Sequence, residues 1–228
     1  MANPPYLAMT AAEFYACTCL PSKVAWMACH FSPYGRGLSN IPKTLPPDSM
    51  LILNDRIEPQ GIDPDLVANQ LRQTVDEFNC CGVVLDFQRP GNNLTRAVAK
   101  TVCKELSCPL AVSTAYAADL SSAVFLPPPP LRSDLAQYFS PWGGRQIWLE
   151  VYDQWETFTV AAECVGISTD IPVSPVPLSH YDAERNCRYA VEVLEDRAIF
   201  TLYRGMEQWL ESSYPITNLI ALWQDYGL

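Results

Sequence analysis

Cys80-Cys81-Gly82-Val83-Val84-Leu85-Asp86-Phe87-Gln88-Arg89-Pro90 is the stretch whose reading decides the fold. An apolar run leaves a Cys-Gly pair and ends on an acid, an aromatic ring and an amide. That is the pattern of a parallel strand buried on both faces, with its C-terminal end delivering polar groups to a site. Amphipathic helices are expected on either side. Before the run, Val67, Leu71, Val75 and Phe78 fall on one helical stripe, with Asp63 as cap, Pro64 in the first turn and Asn79 as the stop. After it, Leu94, Val98, Val102 and Leu106 form a second stripe, capped by Asn92 or Asn93.

Further strands are expected at Val24–Phe31, Met50–Asn54, Leu110–Thr114, Ala123–Leu126, Gln146–Tyr152, Ala198–Arg204 and Asn218–Trp223. The central stretch is then the third of eight. Strand–helix alternation predicts a parallel sheet with right-handed crossovers, and eight strands predict a compact (β/α)8 TIM-like barrel with missing or shortened helices. The alternative is an open α/β sheet with an antiparallel β subdomain over 146–204. A single domain spans 1–228. Residues 1–22, with a short helix at Ala11–Cys17, read as an N-terminal lid. Residues 157–204 read as an antiparallel β excursion inserted into the barrel, with a hairpin at 188–204.

The chain has 228 residues, 49% hydrophobic and 18% charged, which suits a globular domain with a sizeable core. Its net charge of −10 and the absence of any basic run argue against nucleic-acid and anionic-membrane partners. No signal peptide or run of about 18 apolar residues is visible, so the nine cysteines read as free thiols in a reducing cytoplasm. Cys17, Cys19, Cys29 and His30 do not follow a zinc spacing, so no metal is expected. No phosphate loop, dinucleotide fingerprint, HExxH or nucleophile elbow appears, and no cofactor is expected.

In a barrel the site lies at the C-terminal strand ends. Asp86 is the first catalytic candidate, because a carboxylate ending an apolar strand is costly unless paired or used. Its structural alternative is a loop hydrogen bond or an ion pair with Arg56 or Arg89. Glu150 is second and Asp55 third; a pair of such acids can divide acid and base roles if their environments separate their pKa values. Gln88, His30, Tyr116, Tyr152, Trp223 and Asp225 are the ligand-binding candidates. His30 also reads as a satisfied strand-end histidine. Trp142, Trp148, Trp155 and Trp223 read either as core or as a surface on which sugar rings stack.

Cys81-Gly82-Val83-Val84-Leu85-Asp86-Phe87-Gln88 resembles the D-G-x-D-x-D-x-E signature of family 18 glycoside hydrolases. Glu150-Val151-Tyr152-Asp153 is similar to that family's Met-x-Tyr-Asp strand end, and Leu219-Ile220-Ala221-Leu222-Trp223 to its last strand. The resemblance implies a glycosidase-like barrel. It keeps Gly82 and Asp86 but has Cys81 and Val84 at the first two acidic positions and Gln88 at the acid. A carboxamide cannot supply the leaving-group proton, so the family's own catalysis is not expected. The family carries its signature on strand four, against strand three in the count above. Three readings follow: a barrel binding a carbohydrate or small polar ligand without that catalysis, an active hydrolase using Asp86 with Glu150 or Asp55, and a protein-interaction scaffold built on the β excursion. A homo-oligomer formed through 157–170 is a further expectation.

Overall fold

Eight parallel strands close into a barrel in the computed structural model, which describes residues 4–89, 92–161, 178 and 180–226. In chain order the strands are β1 (Tyr6–Met9), β2 (Val24–Phe31), β3 (Leu38–Ser39), β4 (Met50–Asn54), β5 (Gly82–Asp86), β6 (Leu110–Ser113), β7 (Ala123–Leu126), β8 (Ile147–Val151), β9 (Gln154–Ala161), β10 (His180–Asp182), β11 (Cys187–Val193), β12 (Arg197–Arg204) and β13 (Ile216–Leu222). The barrel runs β1-β2-β4-β5-β6-β7-β8-β13 and returns to β1, which pairs in parallel with both β2 and β13. The short β3 adds antiparallel to the end of β2. The TIM-like closed barrel is therefore the fold, and the open-sheet alternative is set aside.

Two expectations about which strands form it are corrected. Residues 6–9, placed in a lid, are the first barrel strand. Residues 198–204, counted as the seventh, belong to a second, four-stranded antiparallel sheet ordered β10-β11-β12-β9. The two errors cancel in the total of eight. They do not cancel in position: β5, which carries the opening stretch, is the fourth barrel strand and not the third. The hairpin at 188–204 is present as β11 and β12. Of the strand expected over 157–170, residues 157–161 lie in β9 and the remainder lies outside the described residues.

Helices cover the barrel unevenly. Among the described residues the α-helices are α1 (Ala11–Ala16), α2 (Pro64–Phe78), α3 (Asn93–Glu105), α4 (Thr114–Ala117), α5 (Leu135–Phe139), α6 (Met206–Leu210) and α7 (Trp223–Tyr226). Asp63 caps α2 by accepting from the backbone N–H of Asp65 and Leu66, and Asn79 ends it in the left-handed region at φ 51°. Asn92 caps α3, accepting from Leu94 N and Thr95 N at 2.9 and 3.2 Å. These two full-length helices pack Val67, Leu71, Val98 and Val102 against the outer faces of β4 and β5. Elsewhere short helical turns fill the ring. Among the described residues no helix is long and apolar enough to cross a membrane.

The barrel interior is a packed core. Met50, Ile52, Val84, Phe125, Trp148 and Ile220 meet there. A Cβ at Gly82 would lie 2.8 Å from Trp148 Cη2 and 3.0 Å from the Pro109 carbonyl oxygen, so only glycine leaves room for the indole across the barrel floor. Beyond this filling, the inward-facing positions of the strands open into a cavity at their C-terminal ends.

The second sheet leaves the barrel at the end of β8 and is pinned back by Arg204. That guanidinium is fully buried. It donates to the carbonyl oxygens of Pro129 and Arg185, the latter at 2.8 Å, and to Gln154 Oε1 at 2.9 Å. It also lies over the Trp209 ring, 4.9 Å from its centroid. Burial lowers its pKa to about 10. Neutral oxygens thus satisfy a charge that would otherwise be costly to bury.

Candidate functional site

A cavity of about 120 Å3 lies at the C-terminal strand ends. Its polar lining is Asn54, Arg56, Asp86 and Glu150; its apolar walls include Met27, Phe125, Ile220 and Leu222. The strand period explains the grouping. Asp86 ends β5 two residues beyond Val84, and Glu150 lies two residues beyond Trp148 on β8, so both continue the inward-facing register.

The two acids sit in a poorly solvated space. Burial raises the pKa of Asp86, and the nearby Asp55 adds to the rise; the Gln88 amide and Arg56 pull it back. Gln88 Nε2 donates to Asp86 Oδ1. Burial also raises the pKa of Glu150, and the negative charge of Asp86 raises it further. Only Asp86 has groups favouring its charged form. Such a pair resists double ionisation, and the surroundings favour the neutral form more one-sidedly at Glu150 than at Asp86.

Asp55 plays a different part. It is 3% exposed and does not line the cavity. Its Oδ1 accepts from Gln88 N at 3.0 Å and its Oδ2 from Arg89 N at 2.9 Å. Ser113 Oγ accepts from Phe87 N at 2.7 Å while donating to Leu85 O at 2.9 Å. The buried Tyr116 hydroxyl donates to Arg89 O. Three buried side chains thus hold the backbone of 87–89, which in turn aims Gln88 at Asp86.

The remaining sequence candidates are dispersed. His30 bonds the Phe31 carbonyl through Nδ1 at 2.8 Å and faces the Asn40 amide through Nε2 at 3.0 Å, outside the cavity. Tyr116 lies outside the barrel, edge-on to Phe87. Tyr152 is exposed beyond β8, and Trp223 packs half-buried against the layer outside the strands. Asp225 is exposed on α7. Sequence reasoning missed the cavity's apolar walls and Arg56 as a lining residue. Nothing in an alternating strand marks which end of it meets open space. Among the described residues no group of three or more His, Cys, Asp or Glu is placed to hold a metal ion.

A larger cavity, about 640 Å3, lies at the opposite end of the barrel by Cys103, Cys108 and Arg145. Its one cation is consumed structurally: Arg145 donates to Ala117 O and Leu120 O, each at 2.8 Å, and to Ser122 O. The N-terminal face of such barrels serves stability, so volume alone does not make this the site. No family model, curated protein or solved structure matches the chain.

Proposed function

We propose that the barrel mouth binds a carbohydrate or a similarly polar small ligand, with Asp86 and Glu150 as its acid pair. The observation that carries this reading is the presence of both side chains in one small cavity with apolar walls. Carboxyl groups meet hydroxyls, and apolar walls meet the C–H faces of a ring. At about 120 Å3 the space is small against the ~300–1,000 Å3 of drug-sized ligand sites. It suits one ring edge or one functional group. The resemblance to family 18 glycosidases supports the reading in one respect, because Asp86 ends the fourth barrel strand as that signature's position requires. Position 88 remains an amide, turned onto Asp86, so the family's proton donor is lacking.

The test is a thermal-shift series with neutral sugars and amino sugars on the wild type and on Asp86→Ala. A ligand of the folded state raises its melting temperature by mass action. At least one sugar is expected to do so in the wild type and to fail in the variant. No shift from any sugar would overturn the proposal.

The unequal surroundings of the two acids favour a second reading, a hydrolase with Glu150 as proton donor and Asp86 as the carboxylate. Hydrolysis of an aryl glycoside is then expected, with Glu150→Gln losing roughly 10²–10⁴-fold, the usual worth of a general acid. Binding without turnover in the wild type leaves the first reading and removes the second.

A further inference from the structure

The outer face of the second sheet carries a rank of side chains that neither the barrel nor its mouth uses. In the register of the four strands Tyr181 lies opposite Arg188, Arg188 opposite Tyr203, and Tyr203 opposite Trp155. One line of side chains therefore crosses the whole sheet, three strand spacings or about 14 Å long. Side chains alternate between faces along each strand. Cys187, Leu202 and Arg204, the chain neighbours of this rank, are buried on the barrel side. The rank itself faces solvent: Trp155 is 62% exposed and Tyr181 57%.

These rings are held. The Tyr203 and Trp155 centroids are 4.4 Å apart with planes tilted by 39°. The Tyr203 hydroxyl donates to Asp153 Oδ1 at 3.2 Å, and the Tyr181 hydroxyl to Asn186 Oδ1 at 2.6 Å. A Cβ at Gly205 would collide with the Tyr203 hydroxyl, so glycine there gives that ring its place. The adjoining rank, Ala190, Thr201 and Thr157, is low and flat. An exposed indole fixed beside a tethered phenol is a preorganised stacking surface.

We propose that this rank is a binding platform for a neutral glycan chain, distinct from the barrel-mouth cavity. Tyr203 and Trp155 lie one strand spacing apart and Tyr181 two spacings further on, with Arg188 between, so an extended sugar chain crossing the sheet meets rings at both ends of the rank. Arg188, Glu207 and the threonines supply hydrogen bonds for hydroxyl groups at its edges. Charge selects against the other polymer that stacks on aromatic rows. Single-stranded nucleic acid needs a positive groove, whereas this chain carries −10. The only cation of the rank, Arg188, lies 3.8 Å from Glu207. A protein partner would need about 800 Å2 per side, with anchors in pockets. The rank is one residue wide along each strand; a cavity of about 320 Å3 borders its Tyr181–Arg188 end, and Trp155 lies at the other.

Affinity electrophoresis of the full chain in native gels containing laminarin, galactomannan or hydroxyethylcellulose tests the platform. Retardation is expected in at least one gel. Trp155→Ala, a change at a solvent-facing ring, should leave the melting temperature unchanged and weaken binding about tenfold or more, the loss of one stacked ring. Asp86→Ala should be retarded like the wild type, which separates this platform from the mouth. The inference is overturned by no retardation in any gel, by equal retardation of Trp155→Ala, or by loss of retardation in Asp86→Ala. It is equally overturned by preferential binding of polyuridine RNA, or by a change in size-exclusion mass on Trp155→Ala, which would make the face a contact between copies.

Discussion

Glu150 has no hydrogen-bond or ion-pair partner among the described residues, and burial and the charge of Asp86 both favour its protonated form. Asp86 is likewise raised, chiefly by burial. The sign of the pH effect follows. An acid whose pKa is higher in the folded than in the unfolded chain stabilises the fold fully below the ordinary carboxylate value. That contribution is lost as pH rises through the raised value. The melting temperature should therefore fall as pH rises above the ordinary carboxylate range and through the raised values, as this pair ionises. Glu150→Gln should flatten that fall and stabilise the protein at neutral pH by about 1 kcal/mol, as replacements of strained site residues commonly do. A fluorimetric melting series across pH reads it, and an unchanged profile in the variant would refute the account. The residue types at the site were legible from the sequence: Asp86, Glu150 and Asp55 stand out as acids at strand ends. Their roles were not, because Asp55 differs from Asp86 only in which neighbours reach it.

Among the elements, β5 joins a visible local pattern to an invisible long-range one. Its apolar run and the stripes of α2 and α3 could be read directly, as could the caps at Asp63 and Asn92. The need for glycine at 82 could not, since it arises from Trp148, a residue of another strand across the barrel. Gly82→Val should cost about 1–3 kcal/mol by overpacking against that indole and the Pro109 carbonyl. Trp148→Leu should return part of that loss when combined with it, and urea unfolding of the double-mutant cycle measures the coupling. Additive effects would show that the two residues do not meet. The short helices α4 and α7 escaped notice for a simple reason: four residues do not span enough turns for a 3.6-residue period to show. By contrast α5 and α6 do read as helices from the sequence, over Ser133–Phe139 and Met206–Ser213. The Ala198–Arg204 strand was visible, but its partners were not. A strand's alternation is the same whether it joins a barrel or a hairpin sheet.

At the scale of the molecule, closure rests on β1. Four residues following two prolines carry little pattern, yet they pair with β2 on one side and β13 on the other. Removing residues 1–9 should therefore leave two unpaired barrel edges. We expect loss of a single cooperative unfolding transition and a tendency to associate, since open edges template strand pairing. Near-ultraviolet circular dichroism and size-exclusion mass test this; a truncated chain that melts like the full one would return the segment to the status of a lid. The second sheet is joined to the barrel by a buried cation satisfied by oxygens from three separate segments. Arg204 and Trp155 lie on the two faces of one sheet, so the buried cation that fastens it sits on the face opposite the aromatic rank.

The sequence by itself determined the strand and helix periods, the two capped helices, the barrel class and the acids at the strand ends. These are local properties, written in spacing and in residue chemistry. The tertiary structure alone decided that β1 closes the ring and that β5 is its fourth strand. It also decided that Asp86 and Glu150 share a cavity from which Asp55 and His30 are excluded, and that Tyr181, Arg188, Tyr203 and Trp155 form one rank. Each depends on pairing register between residues far apart in the chain, and a period-two pattern carries no information about its partner.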